Sequence, residues 1–317
     1  VVEEEPKEVS AKKGNSETWK SIARRLDEAL TESGFCYVSG TGVPGDIVAG
    51  AFEASRAFHA LAQTDKDALS INTFHRGYIA PKTSVIRSSS VEKVTRPNPS
   101  DSLMLMHEVS PDDPDYGRPL NGPNQWPAIP GFEHPVRGYM HAMEALARYL
   151  THLVCLALDL PPEHLDPCFE KPTVWLRLLR YPPLGDDAHG EAPAFSAAPH
   201  TDYGFLTLLA QDDLGGLEVR TREGAWHPLP PRADTFVLNV ADMLERWSDG
   251  RWPSSAHRVR NIAGADRYSI PYFYDPHIDV TVSRLPGVAA RTGREPVVFG
   301  EYVMDRLNRN YAYRQSD

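Results

Sequence analysis

The spacing of apolar residues divides the chain into a helical first half and a strand-rich second half. Apolar positions three or four residues apart predict helices over residues 19–30 and 47–58, and the longest such pattern predicts a helix from about 135 to 160. Ser16 suits the N-cap of the first helix, and Gly34 suits the position just after its end. We expect these helices to pack their apolar faces on a sheet.

Short β-type runs, bounded by Pro and Gly, follow Pro172. They predict strands over residues 173–181, 205–210, 217–220, 235–240, 256–261, 267–274 and 277–282, in addition to a short strand at 35–38. Residues 70–131 are rich in Ser, Pro, Asn and Asp and have no clear period. A structureless segment of that length is uncommon in a compact domain, so it either serves the function or contains strands that the pattern does not reveal.

This order of elements predicts one domain that is mainly β with a helical jacket. Within 15–317 we expect a mostly helical part at 15–170, a β-rich core at 171–300 and a C-terminal helix or tail at 301–317. Residues 1–14 are charged and aperiodic, which is typical of a mobile tail.

Composition limits the classes of partner and the cellular compartment that we expect for this protein. The net charge is −10 and no basic stripe occurs, which disfavours nucleic acid as a partner. No apolar run reaches 18 residues, so we expect no membrane span. Cys36, Cys155 and Cys168 form no Cys-x-x-Cys pair, which favours reduced thiols in a cytoplasmic protein. The sequence contains no signal for the oligomeric state.

The most specific chemical signal is an ordered set: His200-Thr201-Asp202, then His257, then Arg267-Tyr268-Ser269. A His and an Asp two residues apart on a strand point to the same face, and a His from a distant strand can complete one face of a metal's coordination sphere. Two imidazoles and one carboxylate leave the opposite face open, as a non-haem Fe(II) needs if it is to hold a cosubstrate and O₂. The arginine offers a planar fork for a carboxylate, and the serine a further donor.

Two other His-x-Asp tripeptides lack the later parts of this set. His164-Leu165-Asp166 is followed by His227 but has no Arg-x-Ser ten residues after that histidine, and its surroundings indicate a polar loop or short helical turn. His277-Ile278-Asp279 contains the last histidine of the chain. Only the His200 set is complete.

The complete set and its context resemble the iron- and 2-oxoglutarate-dependent dioxygenase superfamily, most closely the plant-type branch that also contains isopenicillin N synthase. The resemblance runs from about residue 19 to about 300 and implies a double-stranded β-helix (jelly roll) core with the iron at its open end. Its matching segments are residues 34–38, 42–44, 200–204, 215–219, 239–245, 255–259 and 267–270.

The resemblance also implies roles for individual residues. His200, Asp202 and His257 would bind the iron, while Arg267 and Ser269 would bind the distal carboxylate of 2-oxoglutarate. We expect the imidazoles to be neutral and the carboxylate to be ionised, because only those forms bind a metal.

Other positions are assigned less directly. Tyr181 matches a family tyrosine that touches the cosubstrate, but Leu179 stands where many members have Asn, which removes one polar contact. Phe273 either lines the substrate pocket or is a core aromatic, and Asn239 with Asp242 is expected to cap a turn. Taken one by one, four residues of the irregular region favour packing or surface roles, but by fold analogy alone we expect substrate identity to depend on them as a group: Arg76, Tyr78, Arg87 and Met104.

The implied activity is oxidation, with hydroxylation expected, of an unactivated C–H bond in a small organic molecule, with a role in secondary metabolism. Fe(II), O₂ and 2-oxoglutarate would be required, and succinate and CO₂ would be released. Desaturation and ring chemistry stay open, as do an iron oxidase that uses no 2-oxoglutarate and an ethylene-forming type. A barrel that binds a metal or ligand without turnover is a further alternative, although it would not need an open metal face.

Overall fold

The computed structural model describes residues 7–12, 16–87, 89, 91, 94–184, 195–261 and 263–314. Its helices are α1 (Ser16–Ser33), α2 (Gly45–His59), α3 (Gln63–Asp67), α4 (Glu133–Ala157), α5 (Asp242–Trp247) and α6 (Phe299–Asn310), with 3₁₀ turns at Pro162–Phe169 and Ala312–Arg314. Its strands are β1 (Glu8–Ser10), β2 (Phe35–Ser39), β3 (Gly77–Ile79), β4 (Asp101–Met106), β5 (Thr173–Tyr181), β6 (Ala197–His200), β7 (Leu206–Gln211), β8 (Leu217–Arg220), β9 (Trp226–Pro228), β10 (Thr235–Val240), β11 (His257–Val259), β12 (Arg267–Asp275), β13 (Thr281–Val282) and β14 (Val297–Val298).

Two sheets form the core. The larger has the strand order β1-β2-β10-β7-β12-β5-β4-β3, and the smaller has the order β6-β11-β8-β9. The chain passes from one sheet to the other between β5 and β6, between β6 and β7, and again between β10 and β11 and between β11 and β12. This repeated crossing is the topology of a double-stranded β-helix, so the predicted jelly-roll core is confirmed.

Helices α1, α2 and α4 form the predicted jacket. α4 contacts both other helices as well as strands β7 and β12 of the larger sheet. Its apolar residues recur every three or four positions, so that one face of the helix is buried: Val136, Tyr139, Met143, Leu146, Leu150, Leu153 and Val154. Burying such a side chain contributes about 1.5–3 kcal/mol, so this face anchors the jacket on the sheet. No helix in the described ranges combines the length and apolar character needed to cross a bilayer.

Most predicted strands have close counterparts, and one was largely wrong. Strands β5, β8 and β10 have the predicted bounds, β7 is displaced by one residue and β11 is shorter than predicted. The run at 277–282 forms a strand only at Thr281–Val282. Before it, the His277 carbonyl accepts a hydrogen bond from the Val280 N–H, and this turn prevents extended pairing.

Two other expectations need correction. The irregular region contains β3 and β4, and β4 escaped detection because all six of its residues are buried, which removes the polar alternation of an ordinary strand. The expected mobile tail is wrong for Glu8–Ser10, which pairs with β2 in parallel and buries Val9. Residues 1–6 and 13–14 lie outside the described residues.

Candidate active site

Three potential metal ligands meet at one end of the smaller sheet. The antiparallel register of β6 and β11 places His257 opposite His200, and their ring centroids lie 4.3 Å apart. The Oδ1 atom of Asp202 is 3.9 Å from His200 Nε2 and 3.7 Å from His257 Nε2. Within the described residues, this is the one group of three or more His, Cys, Asp or Glu side chains whose ligand atoms all lie within 4.8 Å of one another.

Asp202 reaches this position from a turn, not from a strand as expected. β6 ends at His200, and Asp202 lies in the connection to β7. Helix α5 holds the turn in place, because the Asp242 N–H donates to the Asp202 carbonyl at 2.9 Å and the Met243 N–H donates to the Gly204 carbonyl at 2.7 Å. The turn therefore directs the carboxylate to the side on which the two histidines lie.

Backbone carbonyls orient both imidazoles. His200 Nδ1 lies 2.7 Å from the Ala198 carbonyl oxygen, and His257 Nδ1 lies 3.4 Å from that of Ser255. A carbonyl oxygen only accepts hydrogen bonds, so each Nδ1 carries the proton and each Nε2 keeps its lone pair. Both free lone pairs therefore belong to the nitrogens nearest Asp202.

Two polar side chains fix the carboxylate. The Asn239 Nδ2 donates to Asp202 Oδ2 at 2.8 Å, and the Thr207 hydroxyl donates to the same oxygen at 2.5 Å. Oδ1 is thus left for a metal. The sequence pattern predicts a turn cap for Asn239. Its actual contact was hidden because the partner lies 37 residues away along the chain.

The charges of the group also suit a metal. Burial alone would raise the pKa of Asp202, but His257, His200 and the two hydrogen bonds outweigh it and hold the pKa below its ordinary value. Burial, followed by the neighbouring His257, lowers the pKa of His200 to about 4. At neutral pH the site therefore presents an ionised carboxylate beside a neutral imidazole, the forms that a divalent metal binds.

Two cavities meet at these ligands and share His200, Asp202, Arg177 and Phe273 as wall residues. We call the cavity that extends past His257 to Arg267 the inner cavity. The outer cavity lies on the other side. Part of its wall is aromatic or apolar, with Ile86, Met104, Trp175, Val303, Leu307 and Tyr311, and part is polar, with His75, Ser84, Asn98, Thr201, Asp275 and Asn310.

Arg267 lies in the wall of the inner cavity and is completely buried. Its Nε donates to the Gly215 carbonyl at 2.5 Å, its Nη2 donates to Gln211 Oε1 at 3.0 Å, and its guanidinium lies 4.9 Å from the centre of the Tyr181 ring. Its Nη1 has no hydrogen-bond partner in the described part of the chain. A buried cation with a free donor is strongly unfavourable unless an anion joins it, so this end of the cavity suits a carboxylate.

The other residues expected to bind the cosubstrate surround Arg267. Register in the larger sheet pairs Tyr181 with Arg267 and Leu179 with Ser269, and all four side chains line the inner cavity. The Ser269 hydroxyl lies 3.5 Å from the Tyr181 hydroxyl. Leu179 makes part of this wall apolar at the position where the resemblance led to an expectation of Asn.

The residues expected to determine substrate identity fall into two groups. Phe273 and Met104 line the outer cavity. Arg76, Tyr78 and Arg87 are not among the described wall residues of either cavity. The guanidinium of Arg76 is fully buried and donates to three backbone carbonyls, those of Phe74, Leu120 and His107.

Tyr78 and Arg87 also lie away from the described walls of the two cavities. The Tyr78 hydroxyl donates to Asp101 at 3.1 Å within the core, whereas Arg87 is exposed. In the described structure these three residues contact the core or the solvent, and a role in substrate selection stays a prediction.

Asp275 is a buried acid that the sequence did not single out. It accepts hydrogen bonds from the Phe205 N–H at 2.7 Å and from the Trp175 indole N–H at 2.8 Å. Burial raises the pKa of Asp275 to about 7. A Cβ at Gly204 would lie 1.6 Å from Asp275 Oδ1, so only glycine lets the turn that carries Asp202 approach this acid.

Two family models match this chain. The family model described as the 2OG-Fe(II) oxygenase superfamily matches residues 172–276, and one described as the N-terminal part of the non-haem dioxygenase in morphine synthesis matches residues 8–129. The chain is 32% identical over 304 residues to the 2-oxoglutarate-Fe(II) type oxidoreductase hxnY of Emericella nidulans, covering 93% of this chain and 84% of the relative.

Two further similarities extend over nearly the whole chain. Clavatol oxidase claD of Penicillium crustosum is 33% identical over 312 residues, which cover 92% of this chain and 91% of that protein. The crystal structure of a full-length Neurospora crassa protein in complex with alpha-KG and thymine has a TM-score of 0.84 at 25% identity, covering 96% of each chain.

Proposed function

Because the chain belongs to the 2OG-Fe(II) oxygenase superfamily, we propose that His200, Asp202 and His257 bind its Fe(II) and that Arg267 anchors 2-oxoglutarate. The protein is an Fe(II)- and 2-oxoglutarate-dependent oxygenase that acts on a small molecule. The observation that supports the cosubstrate assignment best is the unpartnered Nη1 of buried Arg267, in the wall of a cavity that also borders the three ligands.

When bound, iron, O₂ and 2-oxoglutarate together supply an oxidant for a C–H bond, and 2-oxoglutarate leaves as succinate and CO₂. The chain's own residues position the reactants. Asn239 and Thr207 hold the carboxylate of Asp202, and Arg267 pairs with the distal carboxylate of the cosubstrate with help from Ser269 and Tyr181. We propose hydroxylation as the outcome.

The inner cavity is suited to exclude water around the cosubstrate. Its wall between the ligands and Arg267 contains apolar side chains: Phe35, Leu179, Leu209, Leu217 and Val259. A low-dielectric wall strengthens the ion pair between Arg267 and a carboxylate. The same wall makes the loss of that pair costly, which provides the test.

The test is succinate formation, measured as a function of 2-oxoglutarate concentration. We expect wild-type enzyme to release succinate only with Fe(II), and Asp202→Ala to abolish release and weaken Fe(II) binding while the fold is kept. Arg267→Met should keep Fe(II) binding and raise the KM for 2-oxoglutarate. Truncating one partner of a buried charge pair costs about 2–5 kcal/mol, which corresponds to a rise of roughly 30-fold to several thousand-fold.

Arg258→Met is the matched control. Arg258 is next to His257 in the chain but pairs with Glu218 at 2.5 Å and lies over the Trp226 ring, outside both cavities. We expect this variant to keep the wild-type KM for 2-oxoglutarate. An unchanged KM in Arg267→Met would refute the assignment of Arg267 to the cosubstrate.

We further propose that the enzyme works in the cytoplasm without a nucleic-acid partner. All three cysteines are free thiols, and two of them, Cys36 and Cys155, are buried, which supports a reducing compartment. The acidic net charge of −10 opposes binding to a phosphate backbone.

A further inference from the structure

Strand β5 forms a wall that both cavities share. Alternate residues of a strand point to one face, and on β5 that face carries Trp175, Arg177, Leu179 and Tyr181. Trp175 lines the outer cavity, Leu179 and Tyr181 line the inner cavity, and Arg177 lines both. A cation therefore lies where the two cavities meet, close to the proposed iron ligands.

Arg177 has no counter-ion within the described residues. Its Nε and Nη2 both donate to the Ser102 hydroxyl, at 3.3 and 2.9 Å, and no carboxylate in the described ranges comes within 4.0 Å of its guanidinium. Its Nη1 makes no hydrogen bond to any described residue. By contrast, Arg180 on the opposite face of β5 pairs with Asp101 at 2.9 Å. A partly buried guanidinium with free donors in a cavity is suited to receive an anion.

The walls of the outer cavity indicate the rest of the ligand. Register pairs Phe273 with Trp175 across β12 and β5, so two aromatic side chains lie next to Arg177. His75 and Tyr311 add further rings in contact with each other, with centroids 4.8 Å apart. Such walls favour a flat apolar body that can stack on aromatic faces.

His75 provides a second polar contact. It is fully buried, its Nδ1 lies 2.5 Å from the Tyr313 hydroxyl, and its Nε2 has no hydrogen-bond partner in the described structure. Burial and the nearby arginines, Arg314, Arg177 and Arg76, lower the pKa of His75 well below its usual range, so the ring is neutral. Arg177 is thus the cation in the described wall of this cavity, and His75 Nε2 is an uncharged group without a partner in that wall, which also contains the polar side chains of Asp275, Asn98 and Asn310.

We propose that the substrate is a small aromatic carboxylate, with its carboxylate on Arg177 and its ring against the wall that Trp175 and Phe273 form. This assignment rests on the proposed oxygenase function and adds the substrate class to it. The second anchor, His75 Nε2, would bind a polar atom elsewhere on the ring. Arg267 is separate from this contact, because it lies opposite Tyr181 at the far end of the inner cavity.

The experiment measures binding independently of turnover. Enzyme loaded with Fe(II) and 2-oxoglutarate without oxygen is titrated by calorimetry with benzoate, phenylacetate, cinnamate and indole-3-carboxylate, and with the four matching carboxamides. We expect at least one acid to bind the wild-type enzyme tenfold or more tightly than its amide. Arg177→Met should remove that preference, and Arg258→Met should keep it.

A second measurement separates the substrate from the cosubstrate. Succinate released without substrate gives the KM for 2-oxoglutarate, which we expect Arg177→Met to change less than threefold. A large rise in that KM, with the preference for acids retained, would assign Arg177 to the cosubstrate and overturn the proposal, but would leave the oxygenase function intact. Amides that bind as tightly as acids, or no binding by any acid, would also overturn it. A wild-type enzyme that releases no succinate would count against the oxygenase function alone.

Discussion

The contact between Asn239 and Asp202 leads to a quantitative prediction about iron binding. Asn239 and Thr207 both donate to Oδ2 of Asp202, at 2.8 and 2.5 Å, and so leave Oδ1 facing the two histidines. In Asn239→Ala the carboxylate gains freedom to rotate. Loss of a group that orients a metal ligand lowers metal affinity about 10- to 100-fold, which corresponds to roughly 1.4–2.7 kcal/mol. Thr207→Val removes the second donor with little change of shape and should have an effect of similar size.

The assay is an anaerobic titration of iron-free enzyme with Fe(II) in competition with a chelator. Urea unfolding of the same iron-free samples gives the stability of each variant without the metal. Thr151→Val is the matched control for Thr207→Val, because Thr151 is also buried but donates to the Ala147 carbonyl within α4. We expect the control to lose some stability and to keep the wild-type affinity for iron.

The double variant tests whether the two donors act on the same group. Both hydrogen bonds end on one oxygen, so their effects on iron binding should not add. An iron affinity within twofold of wild type in Asn239→Ala would refute this reasoning. It would leave Asn239 with the purely structural role that the sequence pattern suggested.

Two further predictions concern the turn and the core. In Gly204→Ala, the new Cβ would lie 1.6 Å from Asp275 Oδ1 and displace the turn that carries Asp202, the proposed metal ligand. Fe(II) affinity should therefore fall at least tenfold, and wild-type affinity would contradict this effect of the close approach. For Asp101, burial alone would raise the pKa, but His59 and Arg180 lower it to about 2, below the ordinary value of 3.8, so its ionised form stabilises the fold above pH 3.8 and this stabilisation is lost as the pH falls towards 2. Asp101→Asn should therefore lower the free energy of unfolding by about 2 kcal/mol at pH 7. Urea unfolding should show this difference from wild type shrinking between pH 5 and pH 3. A difference that does not change with pH would contradict the lowered pKa of Asp101.

The candidate metal site could be predicted from the sequence because its parts are close together or regularly ordered. The order of His200, Asp202, His257 and Arg267 along the chain is itself the signal, and the structure brings these four residues to one cavity. The strands around them were found for a similar reason. Their alternation of apolar and polar residues reflects one buried face.

Arg177 escaped notice because the sequence does not say which face of β5 is inside. Arg177 and Arg180 are three positions apart, so they point to opposite faces, and only the pairing with β4 and β12 decides between them. Arg177 and Tyr181 are four positions apart, so on a strand they point to the same face. Since the resemblance places Tyr181 at the site, this spacing indicates that Arg177 faces the site as well.

Other contacts had no signal of this kind. The buried β4 has no polar alternation, so its residues were assigned to an irregular region, and Met104 was the one residue of β4 that fold analogy selected. The hydrogen bonds of Asn239 and Asp275 join residues 37 and 70 positions apart. Contacts between such distant positions follow from the tertiary fold and not from local pattern.

Strand β12, held by its pairing with β5, fixes the distance between Arg267 and Phe273. Arg267 and Phe273 are six positions apart on one face of β12, a distance of roughly 20 Å at 3.4 Å per residue. Inserting or deleting a single residue between them would turn one of the two away from the interior. A side-chain exchange at Phe273 would therefore keep the spacing between the proposed substrate end and the proposed cosubstrate end, whereas a change in the length of this strand would not.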